Sequence, residues 1–298
     1  MVTVECKTQD EADAAAARGD VIAWRGGYLV ARDSAVVSAF NSAVVDAFNS
    51  AVVDARDSAS VDAYGSARVN AYDSASVTAF DSAGVSAFNS AVVSARDSAR
   101  VYAYGSASVN AYGSARVDAY GSASVTAYDS AVVSAFNSAV VDARDSARVY
   151  AYGSASVNAR DSARVNAYDS ASVTAFDSAV VSAFNSAVVS ARDSARVSAR
   201  DSASVCARDS ASVCDIATCS PLRRDRPRIV IGPLGSRNAT LGASIPANGG
   251  DPIIYAGCWT GTLTDFAKRV DTVYPDGQFR AEYHAAIAFI RAITGSRQ

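Results

Sequence analysis

The sequence predicts a mainly β chain: a narrow, two-sheeted parallel β-solenoid with a small α/β cap at its N-terminus and an α+β domain at its C-terminus. Three observations predict it. From Asp33 the chain reads in octads, DSAVVSAF, NSAVVDAF, NSAVVDAR and onward, 22 of them to Arg208 with a partial one to Cys214. Ser at octad position 2, Ala at 3, Val at 5 and Ala at 7 are invariant within them. Half of the 298 residues are apolar, yet the chain has five Leu and ten Ile, and every Leu, Ile, Pro, Lys, Glu, Trp and His lies outside residues 33–208. A conventional core needs large aliphatics to reach crystal-like density, so an ordinary globule is excluded. The high apolar fraction and a net charge of −3 exclude a disordered chain.

The Ala-x-Val-x-Ala alternation has period two, which places Ala, Val and Ala on one face of a strand. Position 1 is Asp, Asn or Gly, the residues that tolerate positive φ or brace a tight turn. Each octad is therefore a short strand plus a turn. A helix fails, because a period of 8 drifts against 3.6 and each octad brings residues that disfavour helix. The position-4 residues set the coil. Arg stands there at 68, 100, 116, 148, 164 and 196, always in odd octads; Ser stands at 60, 76, 108, 124, 156, 172 and 204, always in even ones. A coil of two octads separates the two sets and a coil of three mixes them, so one coil is two octads and the solenoid has two unlike faces. Thr78, Thr126 and Thr174 add a longer period of six octads, or three coils. Inward Ala, Val and Ala then meet in a thin core, with an inward Ser at each turn forming a hydroxyl ladder. At about 4.8 Å per coil, eleven coils span roughly 50 Å.

Open strand ends invite aggregation, so caps are expected. Residues 1–32 fit one. Val2 to Cys6 alternates like a strand, Thr8-Gln9-Asp10-Glu11 is a capping box opening a helix to Arg18, and Gly19 stops it. Val21–Trp24, Arg25-Gly26-Gly27 and Tyr28–Ala31 read as a hairpin. The octads occupy 33–214. Residues 215–228, with Arg223, Arg224, Arg226 and Arg228, form a basic linker. Residues 229–298 read as the α+β domain: strands near 228–231, 239–243 and 253–258, a helix capped by Thr262 and running to Val270, a turn at Pro275-Asp276-Gly277, and a last helix with Phe279, Tyr283, Ile287, Ile290 and Ile293 on one face.

Chemistry is sparse. His284 is the sole histidine, and spacing suggests no oriented partner for it. No zinc-type Cys/His spacing occurs, and no cofactor is implied. Gly232–Arg237 lacks the spacing of a phosphate or dinucleotide loop and reads as a plain turn. Cys258 precedes a helix N-terminus, where a thiolate is favoured, but a packing cysteine is the plainer reading. Five cysteines without a visible secretion signal suggest a reduced compartment. Cys206 and Cys214 fall on opposite faces and should not pair; Cys214 with Cys219 is open.

Two faces are candidates for binding. The odd face carries Arg68, Arg100, Arg116, Arg148, Arg164 and Arg196 beside Tyr102 and Tyr150, a pattern that could follow a polyanion. Against this, the octads hold 17 Asp and 13 Arg, where a nucleic-acid binder should be basic. Each position-8 Arg is followed by Asp, which reads as charge neutralisation along a solvated edge. The even face carries Ser76, Thr78, Ser124, Thr126, Ser172 and Thr174, a hydroxyl array of the kind ice-binding surfaces use, interrupted by Val44, Val92, Val140 and Val188.

The Tyr-Gly-Ser octads (Tyr64-Gly65-Ser66, Tyr120-Gly121-Ser122) resemble the repeats of bacterial ice-nucleation proteins over residues 33–214, although that family's Thr-x-Thr positions are mostly Ala-x-Val here. The whole chain is similar to octapeptide-repeat proteins of actinobacteria and their bacteriophages. In these, Asp-Ser-Ala-x-Val octads precede a segment like Ile231–Arg237 and Gly257–Leu263. That resemblance implies the architecture and a bacterial or phage setting, and no catalytic residue. The expectation is a non-enzymatic rod, cytoplasmic or virion-associated, without a membrane segment. It presents a face or its C-terminal domain to a protein partner and is open to oligomerisation through ends or faces. Ice binding and nucleic-acid binding along the Arg row are the alternatives.

Overall fold

The computed structural model describes residues 2–215, 228–234, 239–244, 250–256 and 259–295. It is a two-sheeted parallel β-solenoid followed by an α+β unit. Strands β4 (Val36–Ala39) to β26 (Ser212–Asp215) each occupy positions 4 to 7 of one octad. Odd-octad strands build a 14-stranded sheet with β1 (Thr3–Glu5) and β2 (Val21–Trp24); even-octad strands build a 12-stranded sheet with β3 (Tyr28–Ala31). Pairing is parallel and joins each octad to the next but one, as in Arg100 opposite Arg116 and Val101 opposite Val117. The coil is therefore two octads.

The interior holds what the alternation demands. From Ala43 to Ala195, position-3 and position-7 Ala are 0% exposed and position-5 Val is at most 2% exposed. The turn explains position 1. Every octad start has positive φ, between 53° and 60° at 18 Asp or Asn residues and 65–71° at five Gly. A left-handed residue costs most L side chains roughly 1–2 kcal/mol, and Asp, Asn and Gly tolerate it best. Asp adds a second service: its Oδ2 accepts the position-1 N–H of the coil before it, as Asp129 does from Gly113 at 3.0 Å and Asp161 from Asp145 at 3.4 Å.

Position 2 departs from expectation. Ser is exposed at every octad, because the left-handed residue before it swings it outside the Ala-Val-Ala interior. The ladder is made by its backbone: Ser74 N donates to Asp57 O at 3.0 Å and Ser98 N to Asp81 O at 2.9 Å. Its hydroxyl reaches a carbonyl at Ser58 and Ser66, on the turn surface rather than in the core.

At the N-terminus, β1 pairs in parallel with β2, and α1 (Gln9–Ala17) crosses between them. Thr8 and Glu11 make both bonds of the capping box, and Gly19 (φ 74°) follows the helix. The expected hairpin is absent. Strand β2 pairs with β4, Val21 opposite Val36, and β3 pairs with β5 (Val44–Ala47), Tyr28 opposite Val44, both in parallel. The pair is thus one more solenoid coil. Gln9 closes its edge: the side-chain amide donates to Val30 O and accepts from Val30 N, both at 2.9 Å, as the peptide of another strand would. Ile22, Trp24 and Leu29 are buried there with Ala12 and Ala15 of α1. Large side chains enter where a helix, and no further coil, sets the spacing.

The C-terminal unit is an antiparallel sheet, β27 (Arg228–Leu234), β28 (Ala239–Ser244), β29 (Ile253–Ala256) and β30 (Trp259–Thr262) in that order. Helices α2 (Leu263–Val273) and α3 (Gln278–Gly295) complete it. Leu241, Ile254, Leu263, Phe266, Ile287 and Ile290 form its core. Thr262 caps α2 by accepting from Asp265 N. Strand β30 is not among the expected strands. Phe279, expected on the apolar face of α3, is 40% exposed, and the side chain of Ile293 lies outside the described residues, as does most of the linker.

Candidate functional site: the arginine face

Positions 4 and 6 of the odd octads form the outer face of the 14-stranded sheet, and all six predicted arginines lie on it. Registration gathers them unevenly. Arg100 stands directly opposite Arg116, and Arg148 opposite Arg164. Each pair is flanked in the sheet by an uncharged position 4, at Gly84, Val132 and Val180. Arg68 and Arg196 stand alone, beside Val52 and Gly84 and beside Val180 and Ser212. The pairs recur every third coil, a spacing of about 14 Å.

Tyr102 and Tyr150 follow Arg100 and Arg148 by two residues on the same strands, β12 (Arg100–Ala103) and β18 (Arg148–Ala151), and point to the same face. Tyr102 is 43% exposed. Across the strand they meet Asp118 and Asn166. Beside the second pair runs a groove of about 360 Å³ lined by Ser130, Val132, Ser146, Arg148, Ser162 and Arg164. The exposed position-2 serines thus edge the arginine row with hydroxyls.

None of these six arginines makes an ion pair or side-chain hydrogen bond among the described residues. The face holds six Arg against Asp54 and Asp118, whereas positions 4 and 6 of the even face hold Asp46, Asp62 and Asp142 and no Arg. The chain's slight negative charge therefore hides two faces of opposite sign.

The position-8 arginines do something other than neutralise the Asp that follows each. Arg56 lies over Phe40 and Tyr72, Arg96 over Phe80 and Tyr112, and Arg200 over Phe184. Among the described residues the one octad ion pair is Arg144 with Asp142, two residues before it, at 2.7 Å. A guanidinium one coil from an aromatic ring is already at stacking distance, and the following Asp is engaged with the backbone of the neighbouring coil. Alternation and charge do not reveal the rest of this edge. Tyr72, Phe88, Tyr104, Tyr120, Phe136, Tyr152, Tyr168 and Phe184 form one continuous stack, centroids 4.8–5.1 Å apart. The signal for it in the sequence is position 8 sorted by odd and even octads, the same sorting that sets the coil at position 4. Burial in this stack pushes the Tyr120 and Tyr152 phenols above the ordinary tyrosine range.

On the even face, Ser76-Val77-Thr78, Ser124-Val125-Thr126 and Ser172-Val173-Thr174 lie three coils apart. Each neighbours a strand whose position 4 is Val92, Val140 or Val188, 45–50% exposed. The hydroxyl rows are brought to one face and broken at every third coil.

In the C-terminal unit His284 does have a partner. Its Nε2 lies 2.9 Å from Asp271 Oδ1, and Arg280 Nη2 donates to the same oxygen at 2.8 Å. The hydrogen bond from His284 and the nearby Arg280 hold the Asp271 carboxyl below the ordinary carboxylate range. The partner comes from the preceding helix, so linear spacing could not show it. Arg280 also donates to Pro275 O, which ties α2, the connecting turn and α3 together. Of the Gly232–Arg237 segment, residues 232–234 belong to β27 and the remainder, like Cys258, lies outside the described residues. Cys6 is a free, buried thiol, but Cys206 is disulfide-bonded, against the reduced state expected for the cysteines. Cys206 and Cys214 stand on different sheets. No metal-holding group of His, Cys, Asp or Glu occurs among the described residues, and none of their helices is long and apolar enough to cross a membrane. Compared with protein-family models, curated proteins and solved structures, the chain finds no match in any of the three.

Proposed function

We propose that this chain is a non-enzymatic rod that presents one repetitive face, or the C-terminal domain it carries, to a partner. The observation that carries the reading is the division of labour between sheets. Inward residues are the same in every octad, yet position-4 Arg occurs in one sheet alone and position-4 Ser, up to β25 (Ser204–Ala207), in the other. A plain spacer needs no such distinction. Solenoids expose long, regular surfaces suited to extended partners. The likeness of the octads and the C-terminal segment to actinobacterial and phage repeat proteins supports a bacterial or phage origin, with a cytoplasmic or virion-associated location.

Two deletions test it. Removing 97–144 takes out an even number of octads and keeps every later arginine on its own face. Removing 97–136 takes out an odd number of octads and moves later arginines to the other face. Both should fold, shortening the rod by about 14 Å and about 12 Å in small-angle scattering. A host-lysate partner captured by the full chain should be retained by the first and lost by the second. Equal capture by both would make the rod a spacer.

A further inference from the structure

We infer that single-stranded nucleic acid lies along the arginine face, with backbone phosphates on the Arg100–Arg116 and Arg148–Arg164 pairs and a base stacked on the tyrosine of each pair. This rests on the face-display reading and names a ligand of that face distinct from the protein partner.

Four features lead there. The guanidinium groups are exposed and without counter-ions, while the position-8 arginines from Arg56 to Arg200 are engaged by rings and, at Arg144, by Asp142 as well. Each guanidinium offers a fork of N–H donors that phosphate oxygens accept, and each pair sets two of them side by side on adjacent strands. Each pair has an aromatic ring two residues along the strand, about 6.6 Å away, so the anion and the flat ring of one ligand residue are received side by side. The arrangement occurs twice, three coils apart, which suits a repeating ligand.

The alternatives fit less well. Duplex DNA carries a charge every ~1.7 Å, while this face offers six arginines over eight coils, about 38 Å. Its edges are lined by position-1 carboxylates such as Asp97, Asp129, Asp145 and Asp161, over which a second strand's phosphates would lie. A sulfated glycan carries its charge on a saturated ring, which offers Tyr102 no π-face, whereas every base has one.

The test is fluorescence anisotropy of a labelled 12-nucleotide oligothymidylate with the full-length chain at about 50 mM salt. Duplex of the same length and a sulfated heparin-type oligosaccharide serve as competitors. Two phosphates, one on each arginine pair, predict a slope of log K against log salt of about −1.4, at about −0.7 per phosphate. Replacing Arg100, Arg116, Arg148 and Arg164 by Ser, the residue the even face carries at this position, should weaken binding at least tenfold. Tyr102→Ser with Tyr150→Ser should weaken it at least fivefold, since each lost base stack is worth that much alone. Far-UV circular dichroism should be unchanged in both variants. No binding of oligothymidylate, a salt slope near zero, tighter binding of duplex or glycan, or full affinity in the arginine variant would overturn the proposal. The salt slope needs no variant. The two deletions above, read with a protein partner, fail or succeed independently of it.

Discussion

Ala115→Leu is the sharpest test of the thin core. Ala115 is at position 3 of an odd octad and 0% exposed; Ala99 and Ala131, one coil to either side, are also 0% exposed. Leu adds three carbons. With room for them, burial would return about 2 kcal/mol at ~0.8 kcal/mol per methylene. The room is absent, because the separation of the sheets is held by Ala and Val in every neighbouring coil and one coil cannot widen alone. The expected result is net destabilisation of about 1–3 kcal/mol, read as a lower guanidinium midpoint in far-UV circular dichroism. The adjacent Ser114 is exposed, so Ser114→Leu makes a comparable apolar change outside the core and should fall within about 0.5 kcal/mol of the parent. Equal midpoints for the two variants, or a costlier Ser114→Leu, would refute the inward assignment of position 3 and with it the account of the missing large aliphatics.

Two further outcomes follow from named contacts. Tyr120 stacks on Tyr104 and Phe136, so Tyr120→Ala should cost about 1–3 kcal/mol beyond its area term, while Tyr102→Ala on the open face should cost far less by the same unfolding assay. Asp271 has a depressed pKa in the folded chain through His284 and Arg280. Its contribution is therefore present above the unfolded carboxylate pKa of about 3.9 and is lost as pH falls through the lower folded value. Acid unfolding of the C-terminal unit below about pH 4, followed by near-ultraviolet circular dichroism, should lose that pH-dependent component in Asp271→Asn; an unchanged acid profile would remove Asp271 from the account.

The solenoid itself is legible in the sequence because its determinants are local or strictly periodic. Alternation names the inward residues, and Arg against Ser at position 4 names the coil. What is not legible depends on chain further away. Gly26-Gly27 between two short apolar runs is a sound local signal for a hairpin, yet the true partners of Val21 and Tyr28 are Val36 and Val44, a full coil further along the chain. Ser at position 2 reads as inward by analogy with its neighbours, and the left-handed residue before it turns it out. Trp259–Thr262 has one polar and one glycine residue at its centre, and antiparallel pairing with Ile253–Ala256 makes it a strand. The arginine face is legible residue by residue; its lack of counter-ions is not, because that depends on where seventeen aspartates direct their oxygens.

The side-chain amide of Gln9 on Val30 gives the molecule a direction in time. In chain order this sealed end precedes every octad. Each later strand then finds its partner one coil behind it, already paired on its far side. Loop closure is equally short for every coil, so the entropic cost of the parallel sheet, ordinarily a slow and aggregation-exposed topology, is met in equal small steps. An incomplete rod therefore exposes a growing edge, and the nearest strand able to pair with it is the chain's own next coil, tethered two octads away.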